Sequence, residues 1–303
     1  MSTSVAGCRR HYKGRGARQK MASTKNDPHP HGPHVITYSA TLDVPEATAA
    51  LLTDLLIVER RRRGTGIGAR AASARDQALL VLRWFRDDAD IKILARDIAV
   101  SVATGYRYLH EGIDVLAAHA PDLHEVLAAG KAAGWTHVTL DGTLIRTDRC
   151  RIKNPDSGHD LWFSGKHHVH GGNVQIISDP DGHPVAVSDV EPGSAHDLAA
   201  ARATGFLGAL SAAAAVLGLP ALADKGYDGA GAGVLTPTKG RGLHRDNLTR
   251  NLLLGCLRAE GERGIALLKT RWKALNRIRL CPQRIGAITK AALVLTRAER
   301  PIR

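Results

Sequence analysis

The sequence has few aromatic residues: Phe, Trp and Tyr make up 4% of 303 residues. A core built without them rests on aliphatic side chains, and 44% hydrophobic residues suffice for a packed core at this length. Cysteine is scarce too. Cys8, Cys150, Cys256 and Cys281 make no CxxC pair and no zinc-ligand spacing, which excludes a disulfide framework or zinc ribbon and reads as reduced thiols in a cytosol. No apolar run approaches the roughly 18–20 residues of a membrane span, and the basic N-terminus lacks the apolar stretch of a secretory signal. The expectation is a cytoplasmic protein with no membrane partner. Acidic residues are outnumbered, 29 against 42 Lys and Arg, leaving a formal charge of +13. That excess suits a polyanion such as nucleic acid, and fits equally a generally basic proteome.

What the chain does contain changes in texture along its length. Residues 1–34 are rich in Gly, Pro, His and basic residues without apolar periodicity, and read as a disordered basic tail. Met21, the only methionine after Met1, leaves open which of the two begins the natural protein. Residues 43–130 read as a helical domain. Its first helix places Leu51, Leu52, Leu55, Leu56 and Val58 in a buried stripe and ends at the basic run Arg60 to Arg63, a solvated loop or a phosphate contact. Three further helix signals follow over 75–117. The last two are separated by a turn short enough for a helix-turn-helix, with Ser101 as N-cap and Tyr106, Leu109, Ile113 and Leu116 facing inward. Arg107 and His110 then lie outward, able to reach DNA. A plain helical bundle accounts for the same pattern.

Beyond a polar joint at about 130–134 the reading changes to strands, and 135–300 reads as a second domain. "WTHVTLDGT" predicts a strand ending at Asp141, "HDLWFSGKHHVHGGNVQIISD" and "HPVAVSDVE" two more joined by the turn at 179–182. An alanine-rich helix over about 195–215, a short strand before Asp224, a long helix from about 246 to 275 and a last one near 284–297 complete the order. That order predicts an α/β fold, a ribonuclease H-like mixed sheet with flanking helices, in which the first and fourth strands lie side by side. Asp141 and Asp224 fall at the ends of those two strands. On the long helix Arg258, Glu262 and Lys269 share one face, while Leu257, Ile265 and Leu268 are free to meet the sheet and Glu260 points elsewhere.

These pieces resemble a known family. "TLDGT", "PGSAHD" (192–197), "ADKGYDG" and the R-x3-E-x6-K of Arg258, Glu262 and Lys269 are similar to the DDE transposases of bacterial insertion sequences, in the branch related to Harbinger-type endonucleases. The resemblance covers about 75–295; one departure is Gly255, where relatives often carry Tyr. It implies a catalytic, metal-holding trio of Asp141, Asp224 and Glu262, with Asp141 bridging two Mg²⁺ ions, or Mn²⁺ in their place, about 4 Å apart. It also implies double-stranded DNA as substrate, both the terminal inverted repeats and the target, and a homo-oligomer when DNA is bound.

Each acid alone reads equally well as an ordinary strand-end or helix-surface residue. Asp197 competes with Asp224 for the second place, but falls where it would cap a helix. The cluster His167, His168 and His170 reads as a strand beside DNA rather than a zinc site, because adjacent strand residues face opposite sides. Lys166 is expected at a phosphate, with Arg258 and Lys269 either at the DNA backbone or simply solvated. Trp272 reads as core. The rival functions are a catalytically dead DNA-binding regulator and a structure-selective nuclease that never joins strands.

Overall fold

The computed structural model describes residues 39–299, apart from 67, 156 and the side chain of Glu262. The tail expected over 1–34 lies outside the described residues. From Leu42 onward the described residues form one compact unit.

The N-terminal part is helical: α1 (Glu46–Arg62), α2 (Ala74–Asp87), α3 (Ile91–Asp97), α4 (Val102–Ala117) and α5 (Leu123–Ala132). The helix starts follow side-chain caps. Ser73 and Asp76 cap each other's backbone at α2, Ser101 accepts from Thr104 N, and Asp122 accepts from His124 N and Glu125 N. The α3–α4 turn requires a left-handed residue, and Ala99 adopts it at φ +53. α5 was not foreseen: it lies mostly within the 43–130 region read as helical, and only its last turn enters the stretch read as a polar joint at about 130–134.

Several inward assignments change. Of the five residues assigned to the α1 stripe only Leu52 and Leu56 are fully buried, whereas Val58 is 60% exposed. The run Arg60 to Arg62 belongs to the last helical turn, not to a loop, and Arg62 and Arg63 bind Glu59. On α4, Leu109, Ile113 and Leu116 are buried as expected, but Tyr106 is exposed and Tyr108 takes its place inside. Three- and four-residue spacings on a helix leave two candidate faces, and the arrival of α2 and α9 decides between them.

The sheet comprises β1 (Val138–Arg146), β2 (Phe163–Ser164), β3 (Val169–Ser178), β4 (Pro184–Pro192), β5 (Ala221–Leu222) and β6 (Val234–Leu235). β1 pairs antiparallel with β3, β3 with β4, and β1 parallel with β5, which pairs parallel with β6. The order β4-β3-β1-β5-β6, with β2 on the outer half of β3, is the expected mixed sheet, in which β1 lies beside the short strand that precedes Asp224. β1 does not end at Asp141; it runs five residues further, held by β3. The histidine-rich stretch is not one strand either: His167 and His168 sit in the turn between β2 and β3, His168 at φ +55.

After β4 come α6 (Asp197–Ala203) and α7 (Phe206–Leu217), one predicted helix broken at Gly205, which takes φ +78. α8 (Arg245–Arg271) stops before Trp272 rather than at 275, and α9 (Ile285–Glu299) closes the described chain. One sheet face packs on α5 and α7 through Val138, Leu140, Ile177 and Leu210. The other shares a core with α1, α2, α4 and α9 through Ile145, Ile176, Leu293 and Trp272. The helical segment and the sheet are therefore joined by apolar burial, not by a linker.

Candidate active site

Parallel pairing of β1 with β5 matches Val138 to Ala221 and Thr139 to Leu222. Carried two residues further, the same register brings Asp141 level with Asp224. Strand alternation puts both on the face of β1 that holds Thr139 and Thr143. α8 covers that face. A Cβ on Gly261 would come within 2.4 Å of Thr139 Cγ2, so the helix rests there on the sheet, and Lys269 Nζ donates to Thr143 Oγ1 at 2.7 Å and Leu144 O at 3.3 Å. Glu262 is the residue after Gly261, on the α8 segment lying over Asp141; its side chain is outside the described residues.

Asp141 and Asp224 are both half-buried. Each uses one oxygen locally: Asp141 Oδ1 accepts from Gly142 N and Asp224 Oδ1 from Gly226 N, both at 2.8 Å. The second bond caps a 3₁₀ turn, Lys225–Tyr227, that swings the chain away after the carboxylate. This turn answers the sequence pattern of an acid followed by Lys-Gly-Tyr.

Asp197 comes up from the opposite face. A Cβ on Gly142 would meet Asp197 Oδ1 at 2.7 Å and the Tyr227 hydroxyl at 2.9 Å, so only glycine fits after Asp141. Asp197 begins α6 but does not cap it: His196 is the N-cap and makes no side-chain bond there, and the Asp197 side chain points into the site instead. Asn173 Nδ2 donates to it at 2.8 Å and Lys166 Nζ at 3.2 Å. Asn173 Oδ1 in turn accepts from Gln175 Nε2, and Gln175 Oε1 from the Tyr227 hydroxyl at 2.5 Å. A hydrogen-bonded chain, Tyr227–Gln175–Asn173–Asp197–Lys166, thus crosses the floor of the site. Sequence reasoning missed Asn173, Gln175 and Tyr227; the signal was present, because polar residues two apart in the otherwise apolar strand "VHGGNVQIIS" share a buried face.

The electrostatics agree with crowded carboxylates. Burial, then the charges of Asp197, Asp141 and Asp224, push the Tyr227 hydroxyl well above its ordinary pKa. The Lys166 ammonium is raised by Asp197 first, with Asp224 and Asp141 contributing. Hard oxygen donors in this negative field suit a divalent cation. Among the described residues no three acidic, His or Cys side chains converge tightly enough to hold one alone.

The remaining predicted residues are scattered. Arg107 is exposed on α4, bonded to Thr104 Oγ1 at 2.8 Å, whereas His110 is half-buried rather than outward, its pKa lowered by burial and then by Arg284. Arg258 is half-buried on α8 and close enough to Tyr227 to oppose its pKa rise. Lys269 is turned inward to β1, and burial lowers its pKa. Leu257, expected against the sheet, is 47% exposed; Leu268 is buried as expected, and Gly261 and Gly264 lie against the sheet beside it. Glu260 binds Arg263. Trp272 is fully buried, its indole bonded to Thr296 Oγ1. His170 Nε2 lies 3.3 Å from Asp160 Oδ2. Cys150, Cys256 and Cys281 are free thiols, and among the described residues no single helix is long and apolar enough to cross a membrane.

Comparison with curated proteins and with solved structures returned no match. Residues 140–297, however, match the family described as DDE superfamily endonuclease. That span begins beside Asp141, takes in Asp224 and α8, and covers over half the chain; the family's divalent-metal nuclease chemistry fits the hard oxygen donors of Asp141 and Asp224. The chain belongs to the DDE superfamily of endonucleases.

Proposed function

We propose that the chain is the transposase of a bacterial insertion sequence, which binds the terminal inverted repeats of its element, cuts there and joins the freed 3′-hydroxyl to target DNA. The observation that carries this reading is the β1–β5 register, Val138 with Ala221 and Thr139 with Leu222, which carried two residues further would set Asp141 beside Asp224 under α8. Asp141, Asp224 and Glu262 are the residues that would hold Mg²⁺, or Mn²⁺ in its place, two ions to a site. When bound, such ions supply activation of the attacking oxygen and stabilisation of the leaving one in an in-line displacement.

The chain's own residues do the rest. Lys166, on the β2–β3 turn, binds the phosphate next to the one being cut, and the Asp197–Asn173 pair sets where its ammonium stands. Arg107 on α4 contacts DNA from the helix-turn-helix, where base-edge contacts would give preference for the element's ends. Arg258 meets the backbone beside Tyr227. Lys269 fixes β1 under α8 and leaves DNA contact to the others. Two ends must be held together for joining, so a homo-oligomer on DNA, in the nucleoid, is the working form.

The test is a joining assay: purified chain, end DNA with a free 3′-hydroxyl, a target plasmid and Mg²⁺. Strand-transfer products on the plasmid support the reading. Cutting without joining marks a nuclease, and binding to inverted repeats without cutting marks a regulator; either result overturns it.

A further inference from the structure

A cavity of about 1010 Å³ opens directly beside the carboxylates. Gly142, Asp197 and Gly226 line it at the site, and its wall continues along the segment between β1 and β3. Arg149, Lys153 and Lys166 bring positive charge to that wall, and His159 and His170 face the cavity beside them. Among the described residues two acids line it as well, and each is already engaged. Asp197 is held by Asn173 and Lys166. Asp160 gathers Lys153 at 2.7 Å, His170 at 3.3 Å and Arg149 at 3.6 Å, and hydrogen bonds from Lys153 and then His170 hold its carboxyl at about 2, so it stays ionised. One carboxylate cannot occupy all the donors of Arg149 and Lys153 while it also meets His170. Arg149 and Lys153 keep 66% and 60% of their side chains exposed, and their remaining N–H groups are available to a ligand.

The dimensions and the aromatic content narrow the ligand. Pockets of about 300–1,000 Å³ take single small ligands, so this one has room for a few nucleotides. A duplex, whose major groove alone is about 12 Å wide, is too bulky for a length of it to be enclosed in this volume. Phe163 offers a ring in the wall, set edge-on to His170 at 5.2 Å, and Gly165 leaves open space beside it. Cations along a groove with an aromatic platform are the means by which proteins hold single strands.

We infer that this cleft holds an unpaired stretch of the DNA strand flanking the scissile phosphate, with its phosphates on Arg149 and Lys153 and a base against Phe163. The inference rests on the DNA-cutting reading of Asp141 and Asp224 and goes beyond it: the substrate is a duplex whose flank is opened at the cut, not a continuous duplex. Asp160 is a positioning residue that holds the cations along the cleft.

The test uses the full chain without metal, a short blunt duplex, and the same duplex carrying a tail of about three thymidines, read by fluorescence anisotropy. The tailed DNA is expected to bind about tenfold more tightly, since each stacked base and each neutralised phosphate adds affinity. Arg149→Ala with Lys153→Ala, both exposed and safe for folding, should abolish that advantage and leave blunt-duplex affinity unchanged. A photoreactive thymidine in the tail should crosslink to the 149–170 segment. Equal affinity for the two DNAs, or a tail advantage that survives the double substitution, would overturn the inference. Cutting in Mg²⁺ is scored in parallel: a chain that prefers the tail but cuts nothing keeps the cleft and loses the nuclease reading.

Discussion

Tyr227→Phe removes one oxygen atom from a fully buried side chain, and the structure sets the size of the effect. The lost hydroxyl donates to Gln175 Oε1 at 2.5 Å, and Gln175 is itself fully buried, so the acceptor is left without that donor and without water. A buried polar group stripped of its partner costs about 1–3 kcal/mol. In a compact unit of this size that corresponds to a fall in melting temperature of roughly 2–12 °C. Catalysis should suffer separately, because Tyr227 closes the 3₁₀ turn that Asp224 opens, and the hydrogen bond fixes that turn to β3. Thermal melts in chelator, followed by cleavage rates in Mg²⁺ well below the melt, separate the two effects. Cleavage is expected to drop about tenfold or more with DNA affinity kept, a loss near the scale of one positioned catalytic interaction. Adding Gln175→Met should cost less than the sum of the single changes, since the pair is coupled. A variant that melts like wild type and cuts at the wild-type rate would refute the idea that this hydrogen bond organises the site.

Gly142→Ala drives a Cβ to 2.7 Å from Asp197 Oδ1 and 2.9 Å from the Tyr227 hydroxyl; overpacking of about 1–3 kcal/mol is expected, with cleavage lost more completely than fold. Lys269→Met keeps the buried stem and removes two hydrogen bonds to β1, so stability should drop by about 1–2 kcal/mol while DNA affinity holds; weaker binding would return Lys269 to the DNA surface. Burial holds His110 and His137 below their ordinary pKa of 6.5, so the unfolded chain binds protons first as pH falls. Stability contributed by the neutral rings is full above about 6.5 and declines below it, until the lowered folded values are reached. Melting temperatures at pH 7.5 and 5.5 check this, and a chain carrying His137→Phe should lose less on acidification.

Much of the site was legible because it is local. The opening of β5 toward Asp224, the Lys-Gly-Tyr turn after it and the cap at Ser101 all follow from near neighbours, and the order of elements was enough to pair β1 with β5. What could not be read depends on partners far along the chain. His110 faces inward because Arg284 and α9 pack against α4. Leu257 is left outside because small Gly261 and Gly264 let α8 sit close to β1 and Ser178. Asp197 looked like a simple helix residue because nothing nearby shows that β3 presents Asn173 to it. The length of β1 beyond Asp141 is set by β3, whose register no local signal gives.

The measurement that bears most directly on the central claim is the Mg²⁺ dependence of DNA cutting by wild type, Asp141→Asn, Asp224→Asn and Asp197→Asn. Asn keeps the shape of each side chain while removing the charge that a hard cation needs. Asp141→Asn and Asp224→Asn are expected to cut at least a hundredfold more slowly at every Mg²⁺ concentration, with DNA binding and melting temperature near wild type. Asp197→Asn can still accept from Asn173; it should retain much of its activity and the wild-type Mg²⁺ midpoint. An active Asp224→Asn beside a dead Asp197→Asn with a shifted Mg²⁺ midpoint would contradict the account, placing the second metal-holding carboxylate on the other face of β1.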